Sequence, residues 1–234
     1  MRRLSIALLL LSACASRPQS QVAFDHLLLF VSPNAPERAA LERAGFLTAP
    51  DVNRHEGQGT ASITYEFDNA FLELIWPDET VAVAPALTVA HQKFQKRSQW
   101  RTSGYAPIGI ALHRVGPETP LPVASWSTAP PWMAPGTSMQ ILTARDDTAS
   151  PSISVHPEGP KKGAAHSIGV RRVTAVRLIE PNGYTPVDAV TYLVKSGVIT
   201  TARGAEWAVD LTFDGGAQRQ SHDFRPDLPL VIHY

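Results

Sequence analysis

Three residues able to do chemistry stand where apolar ones would be expected. Asp25 and His26 interrupt VAFDHLLLFV, Val22 to Val31, and Glu73 interrupts FLELIW, Phe71 to Trp76. Side chains alternate along a strand, so Glu73 shares a face with Phe71 and Ile75. By the same rule His26 goes with Phe24, Leu28 and Phe30, leaving Asp25 with Leu27 and Leu29. Every face is apolar, so each polar group is costly there unless it is paired or ligated. An imidazole and a carboxylate on neighbouring strands relieve each other in one of two ways. They hold a divalent metal, their nitrogen and oxygen donors suiting zinc, manganese, iron or nickel, or they form a His–Glu pair without one. Spacing alone leaves both open. A second group is HEGQGT, where Gly57 and Gly59 let backbone N–H groups come close to a ligand beside His55 and Thr60. His55, Gly57, Gly59 and Thr60 are therefore candidate substrate-binding residues, the alternative being a glycine-rich hairpin with an exposed histidine.

The other histidines, His91, His113, His156, His166, His222 and His233, read individually as surface or core residues, although His166 lies where a loop could reach the site. The chain has no nucleophile elbow, P-loop, dinucleotide fingerprint or HExxH motif. Trp126 and Trp132, in the loop PETPLPVASWSTAPPWMAPG, either wall a pocket or pack that loop onto a sheet.

The elements that must carry these residues follow from periodicity. Val22 to Val31 reads as a strand, and APERAALERAGF as an amphipathic helix stopped by Gly45. Phe46 to Pro50 is the expected short second strand. The alternation from Ala61 to Phe67 is a half-buried strand, and Asp68-Asn69 turns into Phe71 to Trp76. A helix with Pro85 in its first turn follows, then strands at Tyr105 to Leu112 and Pro151 to His156. Twenty prolines, concentrated from Pro107 to Pro160, disfavour long helices there. RRVTAVRLIEP, TPVDAVTYLVKSG, EWAVDLTF and DLPLVIHY then read as strand, helix, strand and strand. That order is close to the one from Val22 to Trp76 and suggests a diverged duplication.

F-D-H before an apolar strand, then A-L-E-R-A-G-F, R-H-x-G-x-G-T and F-L-E-L resembles the glyoxalase-like branch of the vicinal oxygen chelate superfamily. The resemblance covers Ala23 to Trp76. It implies an α+β fold in which two βαβββ-like modules form a cupped mixed sheet around a site. It also implies a divalent metal in many members, and lyases, isomerases, extradiol dioxygenases and non-catalytic binding proteins as the functional range. Residue by residue, it carries the first-strand ligand to His26 and the fourth-strand ligand to Glu73. A second module at 171–234 departs from the pattern, with Ala175 where His26 would stand and Val231 near Glu73.

The N-terminal MRRLSIALLLLSAC is a secretory signal, too short to span a bilayer. Leu11-Ser12-Ala13-Cys14 resembles a bacterial lipobox. Cys14 is the single cysteine, which excludes an intramolecular disulfide, a thiolate metal cluster and a cysteine nucleophile in the body. Lipidation of Cys14 would tether the chain to a membrane, facing the periplasm in a cell envelope, with Ala15 favouring the outer membrane if the cell is Gram-negative. The organisation is then signal 1–13, lipidated tether 14–21, and a domain over 22–234 made of module one at 22–76, a middle segment at 77–170 and module two at 171–234. The balance of 21 basic and 21 acidic residues turns slightly negative once Arg2 and Arg3 leave, so no basic footprint for nucleic acid remains. The expected partners are a small oxygenated ligand and the membrane.

Overall fold

The strand periods read from the sequence fold into two mixed sheets in the computed structural model, which describes residues 20–115, 119–160, 163 and 165–234. Strand β1 (Val22–Phe30) leads to helix α1 (Arg38–Arg43), then β2 (Asn53–His55), β3 (Thr60–Glu66) and β4 (Phe71–Pro77). Helices α2 (Thr88–Ser98) and α3 (Trp100–Ser103) precede β5 (Ile108–Arg114), β6 (Trp126–Thr128), β7 (Met139–Ile141) and β8 (Ser152–His156). These eight strands make one strongly curled sheet in the order β2-β3-β4-β1-β5-β8-β7-β6. In each half the first strand runs parallel to the last, β1 with β4 and β5 with β8, and the halves join along the antiparallel β1–β5 pair.

The α+β class and the cupped mixed sheet are thus observed. The segment that completes the cup differs from expectation. Its second half is 108–156, inside the proline-rich middle segment, and not 171–234. There the strands β6 and β7 are only three residues long, and loop replaces the helix of the first half. That is why periodicity passes over the repeat. The C-terminal segment does return a strand-helix-strand order: β9 (Val173–Pro181), α4 (Asp188–Lys195), β10 (Thr200–Gly204), β11 (Ala208–Phe213), β12 (Ser221–Asp223) and β13 (Leu230–His233). Its strands pair among themselves in the order β10-β9-β11-β13-β12, a separate sheet. The short second strand is also displaced, lying at Asn53–His55, while Phe46 is fully buried in the core.

The second sheet covers one face of the first. Leu27, Leu29, Ile63, Tyr65, Leu72, Leu74, Ile110, Leu112 and Ile153 form a single cluster with Val176, Leu178, Leu193, Val209, Leu211 and Ile232. Phe46, Phe67, Phe213 and Phe224 meet at edge or tilted angles where the layers join. Asn69 fastens the layers by exchanging hydrogen bonds with the Val173 backbone, at 2.9 and 3.0 Å. Burying one face this way leaves the other for function, with α2 packed over one end of it through Phe94 on Phe30. Among the described residues, no helix is long and apolar enough to cross a membrane. The expected signal and the expected lipidation site, Cys14, lie outside the described residues.

Candidate functional site

The face turned away from the second sheet gathers the polar residues. The register places Glu73 opposite Thr64 on β3 and Leu28 on β1, and His26 beside Phe71, so His26 and Glu73 share a side. His55 stands opposite Thr60 at the end of the same face. Across the β1–β5 seam, Ala111 lies opposite His26, and His113 and His156 follow on β5 and β8.

Asp25 is where simple alternation fails. Phe24 pairs with Leu112 and His26 with Ala111, so one extra residue is accommodated at Asp25 as a β-bulge. The bulge reverses the alternation: Phe24 packs against the core, and Asp25 comes round to the side of His26. The Nδ1–H of His26 then donates to Asp25 Oδ1 at 2.6 Å, a short charge-assisted bond between groups about 95% buried. This corrects the expectation that Asp25 faces away with Leu27 and Leu29. Asp25 Oδ2 lies 3.3 Å from His113 Nδ1 without forming a hydrogen bond, and both atoms are buried without a partner.

With Nδ1 committed, His26 directs Nε2 toward Glu73 Oε2 at 3.6 Å. From the other side His55 Nε2 approaches Glu73 Oε1 at 3.8 Å. Neither distance is a hydrogen bond, and no hydrogen bond reaches this carboxylate among the described residues. Glu73 is therefore a buried carboxylate between two imidazoles, beyond hydrogen-bond distance of either. No lysine or arginine pairs with Asp25 or Glu73 among the described residues. Phe71 stacks on the His26 ring at 3.9 Å and fixes its plane.

Two further histidines complete the floor. His156 meets the His26 ring edge-on at 5.2 Å and contacts Ser154 Oγ through Nε2 at 3.1 Å. Burial, and the nearby His26, push its pKa down to about 4 despite the attraction of Asp25 and Glu73. His55 is held below the usual histidine value by burial, with Glu73 opposing and His26 adding to the shift. Both are neutral at pH 7.

Of the residues singled out from sequence, the structure brings together His26, Glu73, His55 and Thr60. Gly57 and Gly59 lie in the same loop with another role. Each has a positive φ, and a Cβ would stand 2.7 Å from Pro131 at Gly57 and 2.4 Å from Val83 at Gly59. Their close approach is to the chain itself. His166 does not reach the site: buried between the layers, it accepts from the Leu47 N–H and donates to the Glu66 carbonyl, at 3.0 and 2.9 Å. The two tryptophans separate. Trp126 packs, its Nε1 on the Thr143 carbonyl and its ring under Arg145, whereas Trp132 lies against His55 at 5.3 Å and walls the site.

Sequence reasoning read His113 and His156 as surface or core residues and passed over Gln58 and Ser154. A signal for two of them was present in SISVH, where Ser152, Ser154 and His156 alternate with buried Ile153 and Val155. This is the pattern of a strand with one polar face.

A resident metal is testable on this donor set. Both imidazoles have Nδ1 anchored and Nε2 facing one carboxylate, as ligand histidines do. Catalytic zinc, however, takes three protein ligands, and among the described residues no three His, Cys, Asp or Glu side chains converge to hold an ion. The expected pair His26 and Glu73 is adjacent.

No family model matches the chain, and no curated protein matches it. A hypothetical protein from Staphylococcus aureus is similar in structure, at 13% identity and a TM-score of 0.46, over 91% of this chain and 99% of that one. The functional reading therefore rests on the site.

Proposed function

We propose that the open face of the curled sheet binds a small oxygenated molecule and moves a proton on it, in a lyase- or isomerase-type reaction. The observation that carries this reading is the gap between His26 Nε2 and Glu73 Oε2. The two atoms stand 3.6 Å apart with no hydrogen bond between them, and a ligand group that bonds to them would satisfy both. His26, with its proton on Nδ1 and Asp25 behind it, has its Nε2 lone pair free to take a proton from a carbon next to a carbonyl. The electron pair released moves onto the carbonyl oxygen, and Asp25 stabilises the imidazolium that forms. Phe71 and Trp132 supply apolar walls that orient the ligand. The resemblance of Ala23 to Trp76 to the vicinal oxygen chelate superfamily supports the same reading. These steps use the chain's own groups alone.

The test is exchange of the α-proton into deuterated water, followed by NMR over a panel of small hydroxy- and oxo-carbonyl compounds. The protein should accelerate exchange for at least one of them, and His26→Ala should slow it by about 10²-fold or more. Exchange equal in His26→Ala and the parent would remove His26 as the base. Binding without exchange would instead favour a non-catalytic ligand-binding protein. Loss of exchange in EDTA, with stoichiometric metal in untreated protein, would replace this account with a metal-assisted one in which the ion polarises the carbonyl.

The same proposal places the domain outside the cytoplasm on an acylated Cys14, supported by the LSAC sequence and by the lack of any other cysteine. The activity would then face the periplasm, at the outer membrane in a Gram-negative cell.

A further inference from the structure

Behind His55 runs a chain of hydrogen bonds whose direction follows from the chemistry of its members. It starts on the proline-rich loop, where Trp132 Nε1 donates to Gln58 Oε1 at 2.9 Å. An indole N–H only donates, so it fixes which end of the Gln58 amide is oxygen. The amide nitrogen must then point the other way, and it donates to Thr60 Oγ1 at 3.1 Å. Thr60 is fully buried, and the other partner of its hydroxyl among the described residues is His55 Nδ1, at 2.9 Å. A hydroxyl carries one proton to give, and a buried one left ungiven is costly. With Gln58 already a donor, the Thr60 proton goes to His55 Nδ1. His55 must then carry its own proton on Nε2, the atom that faces Glu73 and the site.

We infer that Trp132, acting through Gln58 and Thr60, sets the His55 tautomer so that this imidazole presents a donor to the site. His26 has the opposite tautomer, because the Asp25 carboxylate takes its Nδ1–H and leaves Nε2 as an acceptor. Glu73 thus stands between the Nε2–H of His55, a donor, and the ring of His26, whose Nδ1–H is given to Asp25. This polarity names the ligand chemistry: an oxygen acceptor, such as a carbonyl or hydroxyl oxygen, sits against His55, and the acidic C–H or O–H sits against His26. Gln58 and Thr60 are positioning residues, acting through His55, and Trp132 adds to its place in the wall of the site the N–H that starts the relay. The assignment of ligand ends rests on the binding reading above, whereas the tautomer relay does not and is tested on the protein alone.

The experiment is ¹⁵N NMR on histidine-labelled protein at pH 7, reading which ring nitrogen of His55 is protonated. In the parent the proton should be on Nε2. Trp132→Phe keeps an aromatic ring but removes the N–H, freeing the Gln58 amide to turn, so a population protonated at Nδ1 should appear. Gln58→Glu presents two acceptors, draws the Thr60 proton away from His55, and should move the His55 proton to Nδ1. Glu73→Gln should leave it on Nε2. Protonation at Nδ1 in the parent would overturn the inference without needing any variant to fold. It would also be overturned if Glu73→Gln moved the proton while Trp132→Phe and Gln58→Glu did not, since Glu73 would then be the determinant. Failure of α-proton exchange alongside the expected tautomers would count against the proposed reaction and leave the relay intact.

Discussion

Asp25 and Glu73 both face His26, and replacing them should have opposite consequences for stability. Asp25 makes a 2.6 Å bond to Nδ1, while Glu73 stands 3.6 Å from Nε2 with no hydrogen bond. Removing a buried hydrogen bond to a charged group costs about 1.5–3 kcal/mol, and the His26 Nδ1–H is left buried without a partner, so Asp25→Ala should destabilise by at least about 2 kcal/mol. Glu73→Gln removes a buried charge that has no bonded partner to orphan. The desolvation penalty goes with the charge, and the substitution should range from neutral to stabilising by about 1–2 kcal/mol. In a domain of this size each kcal/mol moves Tm by about 2–4 °C, so the two variants should melt at least about 4 °C apart, on opposite sides of the parent or with Glu73→Gln close to it. Urea denaturation at pH 7 with unchanged m-values reads the same difference as a shift in midpoint. The proton-transfer activity should fall in both. If His26 and Glu73 were instead a structural ion pair, breaking it would cost about 3–5 kcal/mol. A loss of that size in Glu73→Gln would refute the view that Glu73 is held for a ligand.

The neutral histidines give the protein an acid limit. His156, held near pKa 4 in the fold against about 6.5 when unfolded, binds a proton in the unfolded chain first, so stability is full above pH 6.5 and falls toward pH 4. Its share should be about 3 kcal/mol; urea midpoints from pH 7 to 4 should show the slope, and His156→Gln should remove that share. His55 and His166, both shifted down, add in the same direction. Gly59→Ala combines a φ of +71° with a Cβ 2.4 Å from Val83 and 2.6 Å from His91, so it should cost about 2–4 kcal/mol by thermal melting, and Val83→Ala in the same chain should recover part of it. Mass spectrometry of the membrane fraction should find an N-terminal peptide beginning at acylated Cys14, and Cys14→Ser should release the protein into the soluble fraction.

Much of the first half of the cup was legible because its signals are local. Periodicity marked β1, β3 and β4, and a carboxylate inside FLELIW stands out because nothing else nearby is polar. The same contrast identified His26 and Glu73 as a pair. The Asp25 bulge was not legible, since one extra residue in a ladder depends on the partner strand, and it alone decides on which face Asp25 lies. The second half of the cup was hidden for a related reason. Its strands β6 and β7 are three residues long and owe their extension to neighbours, while 171–234 repeats the familiar element order with different pairing. Element order follows from each segment's own periodicity, whereas pairing is a long-range choice made by which apolar faces can be buried together. The sequence by itself determined the chemistry available: two carboxylates and several histidines in an apolar setting, and a single cysteine, Cys14. Only the tertiary structure decided which of those histidines converge. His113 reaches Asp25, and His156 reaches His26, from far along the chain, and Trp132 reaches His55 from a loop with no periodicity to read.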